Sequence, residues 1–195
     1  QAPIDYLNQI APQAPKKPVF ELTLRKVIIL GIILVIGVII LSTVLGTLNS
    51  SKKDSWQRLD ARLAATSTLA SDAGPNIKNG QLRSYNSDLI LYLTNTTRDL
   101  SAILKEKDID TSKTPASIIT SESSDTIAAE LEDARLNNIY DITYAREMGY
   151  QLSRLVSLLE QMLTSATGST EEFLQTSRDN LVPIYTSIQN YSAAK

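Results

Sequence analysis

The sequence predicts an all-α protein, with an N-terminal transmembrane helix followed by an antiparallel four-helix bundle. Three observations carry this reading. Residues Val27 to Leu48 form an apolar run without a single charge; four later stretches repeat apolar residues at intervals of three and four; and no stretch alternates apolar and polar residues as a half-buried strand must. The division that follows is a Pro-rich flexible tail over 1–24, an anchor helix over 25–50 and a bundle over 51–195.

The tail contains Pro3, Pro12, Pro15 and Pro18. Each removes a backbone donor, and their spacing leaves a helix no room to propagate. Between them Ile4, Tyr6, Leu7 and Ile10 form a short apolar cluster, a candidate docking peptide for a cytoplasmic partner.

The run that begins at Val27 is long enough to cross a hydrocarbon core of ~30 Å as a helix rising ~1.5 Å per residue. It exceeds the apolar core of a cleaved signal peptide and passes into polar sequence without a small-residue cleavage site, so a retained anchor in the lipid bilayer is expected. Ser42 and Gly46 stand one helical turn apart within it, a pairing that lets membrane helices approach closely and dimerise. Lys16, Lys17, Arg25 and Lys26 before the run are matched in number by Lys52, Lys53, Arg58 and Arg62 after it. Arg25 and Lys26 abut the run, however, whereas the later basic residues are interleaved with Asp54 and Asp60. The positive-inside rule then puts the N-terminus in the cytoplasm and the bundle on the extracytoplasmic side of a single-pass cell-membrane protein.

The first bundle helix is marked by Trp56, Leu59, Leu63 and Ala70 and is closed by Gly74-Pro75. The second places Leu82, Tyr85, Leu89, Leu93, Thr96, Leu100, Ile103 and Leu104 on one face and stops in the turn-like stretch from Lys107 to Pro115. The third, the longest expected, has a lead-in at Ile127 and Leu131, then the stripe Ile139, Ile142, Met148, Leu152, Leu155, Leu159 and Met162, and closes at Gly168. The fourth starts at Ser169, whose hydroxyl suits an N-cap, with Glu171 and Glu172 favourably placed in the first turn. Its buried face is expected to be Phe173, Leu174, Leu181, Ile184, Ile188 and Tyr191, with a bend at Pro183. Short connections between the four are expected.

Composition limits the chemistry. The chain has no cysteine and no histidine, which removes disulfides, thiolate nucleophiles, cysteine-bound zinc and iron–sulfur clusters, the commonest general base and the commonest transition-metal ligand. Its net charge is −2 and the bundle's charges are of mixed sign, unlike the concentrated basic surface that nucleic acid requires. Neither catalytic residues, nor a metal site, nor a cofactor is expected. Glu130, Glu132, Asp133, Glu147 and Glu160 read as a solvated helix face rather than as a calcium site. Tyrosines are concentrated on the later helices. Tyr140 and Tyr144, one turn apart, are expected to pack in the core or at its boundary, with a tyrosine-rich interaction surface as the alternative.

Three segments carry a family resemblance: Leu100-Ser-Ala-Ile-Leu-Lys-Glu-Lys-Asp-Ile109, Tyr140-Asp-Ile-Thr-Tyr144 and Leu181-Val-Pro-Ile-Tyr185. They resemble the L-x-x-L-A-x-x-x-G-I, F-D-x-x-Y and L-P-x-L-x-x-H motifs of the DUF4142 family of secreted or anchored bacterial proteins with a ferritin-like bundle. The resemblance spans roughly Leu82 to Tyr191 and implies the same bundle. The family's three helix-borne histidines fall here on Leu93, Leu152 and Ile188, which can pack but cannot ligate. The Glu-x-x-His pairs of di-metal bundles are likewise absent.

The function expected from these features is that of a non-catalytic, membrane-anchored interaction or accessory subunit at the cell envelope, bound to other membrane or envelope proteins or to itself. The alternatives are a filament subunit resembling a type IV pilin and an extracytoplasmic sensor bundle with a separate signalling partner. Phe20-Glu21 ahead of an apolar helix favours the pilin reading, while the missing processing glycine and the charges of Arg25 and Lys26 count against it.

Overall fold

Helices account for almost all the regular structure in residues 53–193, the part of the chain described by the computed structural model. These residues lie within the unit Thr47–Lys195. The apolar cluster Ile4, Tyr6, Leu7 and Ile10, and the Val27–Leu48 run with Ser42 and Gly46, lie outside the described residues. Among the described residues there is no strand, and no helix is long and apolar enough to cross a membrane.

Helix α1 covers 53–73 and buries Trp56, Leu59, Leu63, Leu69, Ala70 and Ala73 at helical spacing. It gives way at Gly74–Asn76 to one 3-10 turn with Pro75 near its start, where the missing proline N–H costs nothing. Helix α2, Gly80–Glu106, starts at an Asn79 cap whose side-chain oxygen accepts from the Gln81 and Leu82 N–H groups at 3.0 and 3.1 Å. It ends with the Ile109 N–H bonded to the Leu104 carbonyl and the Asp108 N–H bonded to the Lys105 carbonyl. In this Schellman closure Asp108 takes a left-handed φ of 53°. Asp108 stands where the DUF4142 pattern has glycine.

The third expected helix is broken in two, and a further short helix precedes it. After a 3-10 turn at Thr111–Lys113 come α3, Ala116–Glu122, and α4, Asp125–Leu136; only then does α5, Tyr140–Leu163, begin. The break before α5 repeats the closure at Asp108. Asn138 sits at φ 59°, the Ile139 N–H bonds the Ala134 carbonyl and the Asn138 N–H bonds the Arg135 carbonyl. Asparagine tolerates this conformation better than most residues, because its side chain is short and polar. Helix α5 therefore sets its own phase, and its core face is Tyr140, Tyr144, Met148, Leu152, Leu155, Leu159 and Met162. Ile139 precedes the helix and Ile142 lies two residues from both Tyr140 and Tyr144, on the opposite side, so both are exposed rather than buried as expected. With 24 residues α5 is also shorter than α2, which has 27.

The connection over 107–139 is consequently a long crossover, and the four long helices are not antiparallel throughout. Lys107, just past the end of α2, lies 5.4 Å over the Trp56 ring near the start of α1, so these two run in opposite directions. Tyr144 near the start of α5 meets Asn86 near the start of α2, and Lys107 and Met162 at their far ends line one cleft, so α2 and α5 run in the same direction. Helix α6, Ser169–Ala193, returns along α5 and also packs on α2. It follows Gly168 at φ 62°, whose carbonyl accepts from the Glu172 N–H at 3.1 Å. The helix thus already includes Ser169 rather than being capped by it. Pro183 lies inside α6 on its exposed side, where water can serve the carbonyl left without a donor. Leu174, Leu181 and Ile188 are buried, with Phe173, Ile184 and Tyr191 packed against them. Leu93, Leu152 and Ile188 are all fully buried in this core.

Three outcomes are expected for thermal or denaturant unfolding followed by circular dichroism. Leu152→Ala lowers stability by about 2–5 kcal/mol through the cavity it leaves, whereas Ile142→Ala stays within about 0.5 kcal/mol. Asp108→Gly raises stability by roughly 0.5–1 kcal/mol, since glycine adopts the left-handed cap without strain.

Candidate functional site

Tyr140 and Tyr144 do not form a surface. Both are buried, with their rings stacked at an interplanar angle of 2° and a centroid separation of 6.4 Å. The Tyr144 hydroxyl donates to the Asn86 side-chain oxygen, and the Asn86 amide donates in turn to the Ala70 carbonyl at 3.0 Å, so one polar chain ties α5 to α2 and α1. Next to it, the Asp141 carboxylate accepts the Lys78 and Asn79 N–H groups at 2.9 and 2.7 Å and fixes the α1–α2 turn on the start of α5. Burial pushes both phenols up from their ordinary range. For Tyr140 a hydrogen bond with Asn76 opposes the rise while the charges of Asp141, Asp72 and Glu132 add to it; for Tyr144 the neighbouring Tyr140 adds to it.

The acidic residues of the third predicted helix are dispersed. Glu130, Glu132, Asp133 and Glu160 are exposed and Glu147 is half-buried; Glu132 pairs with Arg135 and Glu147 with Arg146. Among the described residues no group of three or more Asp and Glu side chains is placed to hold a metal ion.

Two other features have the geometry of a site. The first is a groove of about 560 Å³ between α2 and α6. Tyr92, Ile103, Phe173 and Ile184 form its apolar lining, Leu91 is 62 % exposed at its edge, and Asp88, Asp99 and Glu172 give it an acidic rim. The Tyr92 ring belongs to the lining, yet its hydroxyl oxygen is sealed from solvent and makes no hydrogen bond of regular geometry. Burial pushes this phenol up to about 12, with only the Thr96 hydroxyl, one turn along, pulling it down.

The second feature surrounds Glu122 at the end of α3. Its side chain is 1 % exposed and is met by three guanidinium groups. Arg62, itself buried, gives Glu122 Oε2 both Nε at 2.7 Å and Nη2 at 2.6 Å, and donates Nη1 to the Arg154 carbonyl at 2.6 Å. Arg58 reaches Oε1 through Nη1 at 2.6 Å, and Arg154 reaches Oε2 through Nη2 at 3.2 Å. Burial lowers the Arg62 pKa, and the Arg154 and Arg58 charges lower it further, against the hydrogen bond and charge of Glu122. A short helix of the crossover is thereby joined to α1 and α5 through one carboxylate.

No family model, curated protein or solved structure matches this chain. The likeness to DUF4142 therefore stands on the three motifs quoted above and lends no site residue. The residues found here were missed by sequence reading for different reasons. Arg58 and Arg62 offered a signal, since each precedes a leucine, Leu59 and Leu63, of the apolar stripe of α1. Glu122 offered none, lying between the turn-like stretch that ends at Pro115 and the lead-in at Ile127. The groove exists only once the faces of α2 and α6 are paired.

Tyr92→Phe removes an unsatisfied buried hydroxyl and should leave stability unchanged or raise it by about 1 kcal/mol, while Tyr144→Phe strands Asn86 and lowers it by roughly 1–3 kcal/mol. With folded-state values raised above the unfolded value of about 10, the tyrosines keep their protons longer in the folded chain. Their contribution to stability is full below that pH and falls as pH rises toward about 12 for Tyr92. Unfolding curves combined with phenolate absorbance check the sign; stability that rises across this interval would contradict it.

Proposed function

We propose that this chain is a non-catalytic accessory subunit of the cell envelope. It is anchored by a single span over 27–48 with its N-terminus in the cytoplasm, and it presents the helical bundle outside to hold another envelope protein. The observation that carries this reading is the groove between α2 and α6. Its apolar lining, the exposed Leu91 and the acidic rim suit an amphipathic helix whose apolar stripe enters the groove and whose flanking Lys or Arg residues meet Asp88, Asp99 and Glu172. Tyr92 and Phe173 supply aromatic anchor area, and such residues dominate binding energy at interfaces. Leu136, Ile139 and Ile142 add a second exposed apolar group beside the α4–α5 break.

The composition supports the non-catalytic part of the proposal, since no histidine or cysteine is present to act as base, nucleophile or ligand. The chain would then be a divergent relative of the DUF4142 proteins, keeping a bundle in which Leu93, Leu152 and Ile188 replace ligating chemistry with packing.

A photo-crosslinking residue at Leu91 should yield one adduct of defined mass in native membranes, and the same residue at the exposed Glu130 on α4 should yield none. Leu91→Asp should abolish co-extraction of the same partner in mild detergent. A monomer with no adduct from Leu91 would overturn the reading.

A further inference from the structure

We infer that the cleft between α1 and α5 beside Glu122 is a binding site for a phosphate group. The cleft, about 510 Å³ in volume, shares no lining residue with the α2–α6 groove and is independent of its function. Three guanidinium groups converge on its inner end, with Glu122 as the one carboxylate that pairs with them. The nearby charges that act on Arg62 are those of Glu122, Arg154 and Arg58, so the cluster carries a surplus of positive charge.

One guanidinium neutralises Glu122: Arg62, itself buried, places two nitrogens on Oε2, while Oε1 is met by Arg58 at 2.6 Å and the Ser121 hydroxyl at 3.3 Å. Arg58 and Arg154 are different. Their side chains are 39 % and 29 % exposed, both line the cleft, and each gives Glu122 a single nitrogen. The Arg154 guanidinium is further held 5.9 Å over the Tyr150 ring and 3.4 Å from the Ser121 carbonyl, so its position is set before any ligand arrives. Ser157 and Gln161 follow on successive turns of α5 along the same wall and bring a hydroxyl and an amide to the cleft, beside Ser153, whose hydroxyl donates to the Tyr150 carbonyl at 2.8 Å.

Two fixed guanidinium groups beside hydroxyl and amide donors match a tetrahedral, doubly charged oxyanion better than a singly charged planar one. Arginine is the side chain that meets phosphate oxygens with two parallel donors. The cleft has room for an ester substituent on the phosphate. Arg58 follows closely in sequence on the proposed anchor, which ends at Leu48, so a phosphomonoester lipid headgroup and free inorganic phosphate are both sources of this chemistry.

The test is calorimetric titration of the full-length chain, in a phosphate-free sugar detergent, with inorganic phosphate and with glycerol phosphate. Saturable binding is expected, weakened by added salt and lowered at least about tenfold by joint Arg58→Gln and Arg154→Gln substitution. Tighter binding of glycerol phosphate assigns the headgroup source, and tighter binding of inorganic phosphate the soluble one. Ser157→Asp sets a carboxylate in the cleft from an exposed position that the fold does not depend on, and should abolish binding even if the arginine variant fails to fold. Absence of binding by both phosphates, or binding that Ser157→Asp leaves unchanged, would overturn the site.

Discussion

A carboxylate inside a helical bundle is tolerated only where its charge is met, and in this chain that condition falls on Glu122 and Arg62. Moving each ion out of water costs several kcal/mol, which a two-nitrogen contact at 2.6 and 2.7 Å offsets only while both partners stay in place. The pair therefore fixes where α3 can lie. With α3 fixed, the crossover over 107–139 passes along α1 and α5 and delivers α5 in the same direction as α2. The crossover has few apolar anchors of its own, chiefly Ile118, Ile127, Leu131 and Ala134. Its placement depends on polar ties to α1: Glu122 with Arg58 and Arg62, the Ser124 hydroxyl on the Ala65 carbonyl, and the Gln57 amide on the Asp110 carbonyl.

The rest of the molecule divides around that seam. Leucines at full burial, among them Leu59, Leu89, Leu155 and Leu159, supply non-directional stabilisation of about 1.5–3 kcal/mol per side chain. The directional contacts decide which helix meets which. Asn86 joins Tyr144 to α1, Asp141 holds the α1–α2 turn, and Glu122 holds the crossover. Among the open surfaces of the described residues are the apolar, acid-rimmed groove on α2 and α6 and the basic cleft on α1 and α5. Their opposite character means that one cannot serve the other's ligand.

Much of the fold was legible because it is periodic. The stripe from Leu82 to Leu104, the stop at Gly74-Pro75 and the burial of Leu93, Leu152 and Ile188 all follow from spacing and from the conformational limits of proline and glycine. What spacing does not encode was lost. The break at Asn138 depends on a left-handed residue, which the recurrence of apolar residues on either side of it concealed, and Ile139 and Ile142 were assigned to the core as a result. Core packing of Tyr140 and Tyr144 was legible from their spacing, whereas the hydroxyl partner of Tyr144, Asn86, was not, because it is remote in sequence. The basic cleft draws on Arg58 and Arg154, residues that ordinarily read as solvated, and becomes a site only when α1 and α5 are adjacent.

The most direct measurement is a double-mutant cycle on the pair that closes the fold: unfolding free energies of the full-length chain, of Arg62→Met, of Glu122→Gln and of the two combined. If Glu122 and Arg62 are the constraint on which the crossover depends, each single variant is destabilised by about 3–5 kcal/mol and the double variant recovers a large part of that loss. Single losses that simply add, with a coupling near zero, would show that the two side chains are solvated independently and that the crossover is held by its apolar contacts instead.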